Sequence, residues 1–388
     1  MTSADIAVVG FAQAPHVRET NGTTNGVEML VPCFQQLYSD LGITKSDIGF
    51  WCSGSSDYLA GRAFSFISAV DSIGAVPPIN ESHVEMDAAW AFYEAWIKIL
   101  TGEVETALVY GFGKSSAGHL RKILSMQLDP YLVTPLWPDS VSIAGLQARL
   151  GLDAGKWTQE DMAEVAARSR RHALSNPKAQ LAGEVDVEAL LASPFLADPL
   201  RAHDCAPITD GAAAIVLASG NRARDLCERP AWITGLEHRI DSPNLGARDL
   251  TTSPSTTSAA KAATGGEVGN IDVAELHAPF THQELILKEA IGLTDATTIN
   301  PSGGPLSGNP LFAGGLERIG HAAKAIFDGQ ANRALAHATS GPVLQQNLVA
   351  VLEDGTDGRN ASTRGRARHR PNSLRRKASR RLDGGLGP

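Results

Sequence analysis

The segment 88–100, AAWAFYEAWIKIL, constrains this chain more than any other. It has helical length, and only Glu94 and Lys98 are charged. A helix that is apolar nearly all round has to be covered on most of its faces. The segments on either side read as strands. DIAVVG (5–10) is short and buried in character, DIGFWCSG (47–54) runs into a Gly/Ser turn, and ETALVYGFGK (105–114) is a continuous apolar run ending in glycines. Between the first two, residues 25–42 show helical spacing, with Leu30, Phe34 and Leu37 on one side. Pro32 is expected near the first turn of that helix or at a kink. Alternating strands and helices point to an α/β core.

Residues 120–200 differ in character. They include charged helices such as WTQEDMAEVAARSRRHALSN (157–176), where Thr158 and Asp161 fit an N-terminal capping pattern. This reads as an inserted helical and loop region. Strand character returns with ITDGAAAIVLAS (208–219), and a second α/β section runs from about 230 to 353. Each section has a glycine-punctuated loop leading into an apolar helix, the pattern of a duplicated unit without literal repetition. The expected division is 1–228, carrying the insertion at about 120–200, then 229–353, then a tail over 354–388.

Composition narrows the function class. With 388 residues, 43 % hydrophobic and 20 % charged, the chain can bury a large core, in two or three domains or one composite. The net charge of −8 hides a split: residues 355–388 carry +8, leaving −16 on the rest. An acidic body suits a metabolic enzyme and argues against nucleic-acid binding. The basic tail has almost no large apolar residues, so it is expected to be a disordered, solvated appendage. Attraction of the tail to an anionic surface is the alternative. No apolar run is long enough to span a bilayer, and no signal peptide is read at the N-terminus. Cys33, Cys52, Cys205 and Cys227 form no CxxC, so neither a disulfide framework nor a metal site is expected. A cytoplasmic enzyme is the expectation.

Four places could carry chemistry. Glu85 and Asp87 stand at the entrance of the apolar helix. Asp87 reads either as its N-cap or as an acid of the site. Glu85 reads either as a surface residue or as a partly buried carboxylate at a helix N-terminus. His277, in ELHAPF, lies at a strand-to-helix junction, where α/β proteins collect catalytic groups. The loop NPSGGPLSGNP (300–310) offers backbone amides and Asn309 as a neutral donor. It is no Walker loop, since no Gly-Lys-Ser/Thr follows. HATSGP (337–342) presents His337 and Thr339 at a glycine turn, which a plain hairpin explains equally well. GxSxG, HExxH and a strand-linked GxGxxG are absent.

In this order, DCAPITDGAAAIVLAS (204–219), ELHAPFTHQELILKEAIGL (275–293), NPSGGPLSGNPLFAGG (300–315) and TGEVETALVYGFGKSS (101–116) resemble the thiolase superfamily. The similarity is to its sterol-carrier-protein thiolase and bacterial, mycobacterial-type lipid-transfer branch, over roughly residues 5–353. The resemblance implies an α/β thiolase fold: two similar halves in a five-layer αβαβα core, with an inserted loop domain over coenzyme A. It implies a homodimer, or a heterodimer with another thiolase-like chain, and a coenzyme A thioester as substrate with no covalently bound cofactor.

The residues depart from the family at its reactive groups. The nucleophilic cysteine aligns with Glu85, or with Asp87 after a shift. The GHP histidine aligns with Asn309, and the second cysteine with Thr339. The HDCF-type histidine is kept as His277. Acyl transfer through a covalent intermediate needs an activated nucleophile. The resemblance therefore implies proton chemistry instead: Glu85 as a general base, His277 and Asn309 as donors to a thioester oxygen, and retro-aldol cleavage of a β-hydroxy acyl-CoA. Some relatives of this type are steroid side-chain aldolases that work with a small OB-fold partner. Their C-terminal tyrosines have no counterpart, since all five tyrosines here precede residue 132. The alternatives are a non-catalytic acyl-CoA-binding or structural subunit, and an acetyl-CoA acetyltransferase.

Overall fold

The computed structural model describes residues 5–21, 25–57, 64–74 and 76–355. The basic tail beyond residue 355 lies outside the described residues. The first half contains β1 (Ile6–Gln13), α1 (Gly26–Leu41), β2 (Phe50–Gly54), α2 (Ser65–Ile73), β3 (Glu81–Val84), α3 (Ala88–Leu100) and β4 (Thr106–Lys114). An inserted stretch follows: α4 (Leu120–Met126), α5 (Ser140–Asp153), α6 (Gln159–His172), α7 (Val187–Leu191) and the hairpin β5 (Phe195–Ala197) and β6 (Leu200–Arg201). β7 (Ile208–Ser219) and α8 (Gly220–Leu226) return to the first half. The second half comprises β8 (Ala231–Ile240), α9 (Pro254–Thr264), β9 (Val273–Leu276), α10 (Thr281–Ile291), β10 (Thr298–Ile299), β11 (Asn309–Pro310), α11 (Gly314–Phe327), β12 (Arg333–Ser340) and β13 (Gln346–Asp354).

Strand order exposes the duplication. One half runs β3-β2-β4-β7-β1 and the other β10-β9-β12-β13-β8. Each has two parallel pairings followed by two antiparallel ones. The halves meet edge to edge through only Ala7↔Trp232 and Val8↔Ala231. Between the sheets lie α3 and α11, whose buried residues share one cluster with both inner sheet faces. α1 covers the outer face of the first sheet, and α9 and α10 that of the second. The apolar helix 88–100 thus occupies the middle layer that its sequence requires. This is the thiolase fold, with five layers.

Local signals explain the element ends. Thr158 and Asp161 form the capping box that starts α6. Asn25 and Glu28 do the same for α1, and Gly42 closes it in the left-handed conformation. Pro32 departs from expectation. It sits in the second turn of α1, on the exposed face, and the helix runs on to Leu41. No helix among the described residues is long and apolar enough to cross a membrane.

Candidate functional site

The two middle-layer helices begin side by side, and Asp87 joins them. Its Oδ1 accepts from Ala89 N at 2.9 Å, which makes it the N-cap of α3. Its Oδ2 accepts from Gly315 N at 2.9 Å, in the first turn of α11. The positive ends of two helix dipoles therefore face one carboxylate. Asp87 is 4 % exposed. Burial pushes its carboxyl up to about 6, against the N–H bonds from Ala89 and Gly315 that hold it down.

The turn before α11 brings Asn309 to the same place. Asn309 is held by the short parallel pairing of β11 with β7. Phe312 then takes a left-handed backbone (φ 68°), and its carbonyl accepts from Ala88 N at 2.9 Å. Gly111 of β4 makes room for that turn, since a Cβ there would lie 2.5 Å from Phe312 O.

His277 leaves β9 with its backbone N–H on His337 O. Its ring has two bonds. Thr339 N approaches Nδ1 at 3.5 Å, and Nε2 lies 3.0 Å from Asn309 Oδ1. A backbone N–H can only donate, so Nδ1 is the acceptor and the proton sits on Nε2. That proton goes to Asn309 Oδ1. Asn309 Nδ2 makes no hydrogen bond among the described residues. Burial lowers His277 to about 4, partly opposed by the Asn309 bond and reinforced by the Arg318 charge. The imidazole is therefore neutral at ordinary pH.

Gly314 and Gly315 bring these groups together. A methyl on Gly314 would come 2.7 Å from Asn309 Oδ1 and 3.1 Å from His277 Nε2. One on Gly315 would come 2.5 Å from Asp87 Oδ1. Asp87, Asn309 and His277 therefore flank two consecutive residues. Thr339 contributes its backbone N–H, while its hydroxyl is committed to Gln346 O at 3.0 Å.

Glu85, where the ungapped alignment places the nucleophile's position, does not join this group. Its side chain is 59 % exposed and reaches His83 Nε2 at 3.3 Å. The physical reason is the helix start. Asp87 is the cap, so the residue two positions earlier leaves strand β3 on the solvent side. His337 is also elsewhere occupied, with Nε2 on Asn347 Oδ1 at 3.0 Å. The Gly/Ser loop turns its side chains inward. Asn300 Oδ1 accepts from Leu276 N at 2.6 Å, and Ser302 binds Glu275 through both N and Oγ. Its role is to tie the His277 strand to the Asn309 segment. None of the four thiols bonds to His277. Cys33 Sγ donates to Met29 O and Cys205 Sγ to Arg201 O, and burial pushes both up to about 12.

Sequence reasoning missed the ions behind the site. Glu275, Glu317 and Arg318 are all buried, with Arg318 Nη1 2.7 Å from Glu275 Oε2. The available signal was Glu317–Arg318 inside an otherwise apolar helix pattern, GGLERIGHAAKAIF.

No family model matches the chain. The acetyl-CoA acetyltransferase of Methanothermobacter thermautotrophicus is 32 % identical over 197 residues, 45 % of this chain and 51 % of that protein. The 17-hydroxy-3-oxo-4-pregnene-20-carboxyl-CoA lyase of Mycobacterium tuberculosis is 27 % identical over 245 residues, 60 % of this chain and 62 % of that one. The chain thus spans about half to three-fifths of the length of these curated relatives. Among solved structures, the Ltp2-ChsH2(DUF35) aldolase superposes with a TM-score of 0.73 at 19 % identity, covering 91 % of this chain and 98 % of that one. A benzoylsuccinyl-CoA thiolase subunit of Thauera aromatica (31 % identical, 43 % of this chain) and sterol carrier protein 2 of Bos taurus (27 % identical, 73 % of this chain) are also similar, and human mitochondrial 3-ketoacyl-CoA thiolase shares the fold with a TM-score of 0.73.

Proposed function

We propose that this chain acts on an acyl-CoA thioester and cleaves a β-hydroxy acyl-CoA by a retro-aldol reaction. The observation that carries the reading is the pair of side chains across Gly314–Gly315: a tuned carboxylate, Asp87, beside a donor, Asn309, whose amide is oriented by His277. Asp87 takes the proton from the β-hydroxyl group. The Cα–Cβ bond breaks as the β-carbon becomes a ketone or aldehyde. Its electron pair moves into the thioester carbonyl as an enolate, and Asn309 Nδ2 donates to the oxygen. The proton on Asp87 returns to Cα, which releases the shortened acyl-CoA. A preorganised donor of this kind contributes about 3–4 kcal/mol, and a base near pH 6 is matched to work near neutrality.

The names of two relatives, a carboxyl-CoA lyase and an aldolase, support a lyase on a lipid or steroid side chain. The second of those names pairs two proteins, which supports a partner protein; a small OB-fold partner and a homodimer or a heterodimer with another thiolase-like chain belong to the same proposal. Cytoplasmic location belongs to the same reading.

One observation favours a second reading, a non-catalytic acyl-CoA-binding subunit. Both oxygens of Asp87 already receive backbone N–H groups, as a purely structural cap would. The test is cleavage of β-hydroxy acyl-CoAs by the purified full chain, alone and with OB-fold partners, with calorimetry of acyl-CoA binding alongside. Ketone release that disappears in Asp87→Asn supports the lyase. Binding without cleavage under every pairing selects the second reading.

A further inference from the structure

Behind the Asp87–Asn309 face lies a charged group for which the cleavage steps have no use. Arg318 is its centre, 2 % exposed. Nη1 donates to Glu275 Oε2 at 2.7 Å and to Ser302 Oγ at 2.8 Å. Nη2 donates to Glu317 Oε2 at 3.3 Å, and Nε to Gly314 O at 3.3 Å. The other Glu317 oxygen takes His16 Nε2 at 2.7 Å. Stability alone does not account for such a group, because well-packed apolar residues replace buried ion pairs at little or no cost.

The contacts fall on the segments that deliver the site. Glu275 stands on β9, two residues before His277, which directly follows the strand's last residue. Ser302 belongs to the loop that ends at Asn309. Gly314 is the residue against which Asn309 Oδ1 and His277 Nε2 both rest. We propose that Arg318 is the positioning residue of the His277–Asn309 donor chain: its planar fork sets the spacing of the three segments. Burial keeps the imidazole neutral, and the Arg318 charge adds to that effect. The proposal rests on the reading of that chain as the donor to the thioester oxygen. A neutral ring is essential to it, because Nδ1 has to remain an acceptor for Thr339 N. The charged and titratable groups around the ring are Arg318 and Glu317 on α11, Asp87 at the head of α3 and His337 on β12. Arginine suits the task where lysine does not, since four acceptors are met by fixed donors of one plane.

The experiment follows the imidazole of residue 277 by NMR in the full chain with labelled histidine, its signal assigned by its loss in His277→Asn. Removing the charge in Arg318→Gln moves the protonation midpoint of that ring upward. Arg318→Lys keeps the charge and leaves the midpoint in place, while kcat/KM on a β-hydroxy acyl-CoA falls by about 10²-fold from lost geometry. If Arg318→Gln fails to fold, Glu275→Gln/Arg318→Met removes the pair as neutral isosteres, and its midpoint also rises. An unmoved midpoint in the charge-removed variants overturns the proposal, as does full activity of Arg318→Lys. The NMR readout needs no substrate, so the two readings fail separately. A risen midpoint in a chain that never cleaves sinks the retro-aldol reading and leaves Arg318 in its role toward His277.

Discussion

His277 Nε2 donates to Asn309 Oδ1 at 3.0 Å, and this bond decides which end of the Asn309 amide is left over. Thr339 N, His277 and Asn309 form a run of donors that all point the same way. Each bond in such a run polarises the next. The outermost member, Asn309 Nδ2, is therefore a better donor than an isolated amide, and it cannot rotate without breaking its bond to the ring.

Removing the outer donor tests this arrangement. Asn309→Ala lowers kcat/KM by about 10²–10³-fold and costs about 1–3 kcal/mol of stability, because the buried His277 Nε2–H loses its acceptor. Asn309→Asp is worse still, because its second oxygen faces the developing enolate with like charge. Steady-state kinetics beside thermal melts separate the two effects. An Asn309→Ala enzyme as active as its parent would remove Asn309 from the mechanism.

Asp87 sets the acid limb of the pH profile. As the base it works ionised, so kcat/KM rises with pH through about 6. The limb of His277 lies lower, at about 4. Stability moves the other way. The folded-state carboxyl is raised above its ordinary 3.8, so between these values the folded chain binds more protons than the unfolded one. Stability from this group therefore falls as pH rises, by on the order of 3 kcal/mol once ionisation is complete near neutrality. Denaturant melts at pH 4 and 7 check the sign. A flat difference between wild type and Asp87→Asn across that range would contradict it.

The two glycines separate chemistry from folding. In Gly314→Ala the new methyl meets the Asn309 side chain at 2.7 Å and the His277 ring edge at 3.1 Å. The Asn309 amide can yield, so activity is lost with a modest drop in stability. In Gly315→Ala the methyl meets Asp87 Oδ1 at 2.5 Å and Ala338 Cβ at 2.8 Å, between two packed layers. That overpacking costs about 1–3 kcal/mol and breaks the cap as well. A Gly314→Ala protein with normal kcat/KM would show that Asn309 and His277 need not keep this spacing.

The buried position of α3 was legible because the segment 88–100 is apolar on most of its faces. The duplicated strand order was legible only as a hint, since pairing partners lie far apart in the chain and leave no local pattern. At the site, motifs pointed to His277 and Asn309, and the place before an apolar helix pointed to Asp87; the structure brings the three side chains together around Gly314 and Gly315. The register of Glu85 and Asp87 was the weak point. Two acids two residues apart in SHVEMD differ only in where the helix begins, and an ungapped count from Gly102 selects the exposed one. The Arg318 group escaped for a different reason: charged residues read as surface, and only packing reveals that Glu275 and Glu317 both pair with Arg318 inside.

That register makes the sharpest prediction. The Glu85 carboxylate, 59 % exposed, bonds to His83 Nε2 at 3.3 Å and to Asp57 N at 3.4 Å. An exposed pair of this kind contributes little to stability, and Glu85 has no contact with His277, Asn309 or the glycine pair. Glu85→Gln is therefore expected to keep the parent's kcat/KM and to stay within about 0.5 kcal/mol of its stability. Asp87→Asn, by contrast, abolishes cleavage. It also weakens the junction of α3 and α11, because an amide can accept only one of the two N–H groups now bound and turns its NH₂ toward the other. Measured side by side on one substrate, the pair of variants assigns the base. Loss of cleavage in Glu85→Gln with an unchanged Tm would return that role to Glu85 and reduce Asp87 to a cap.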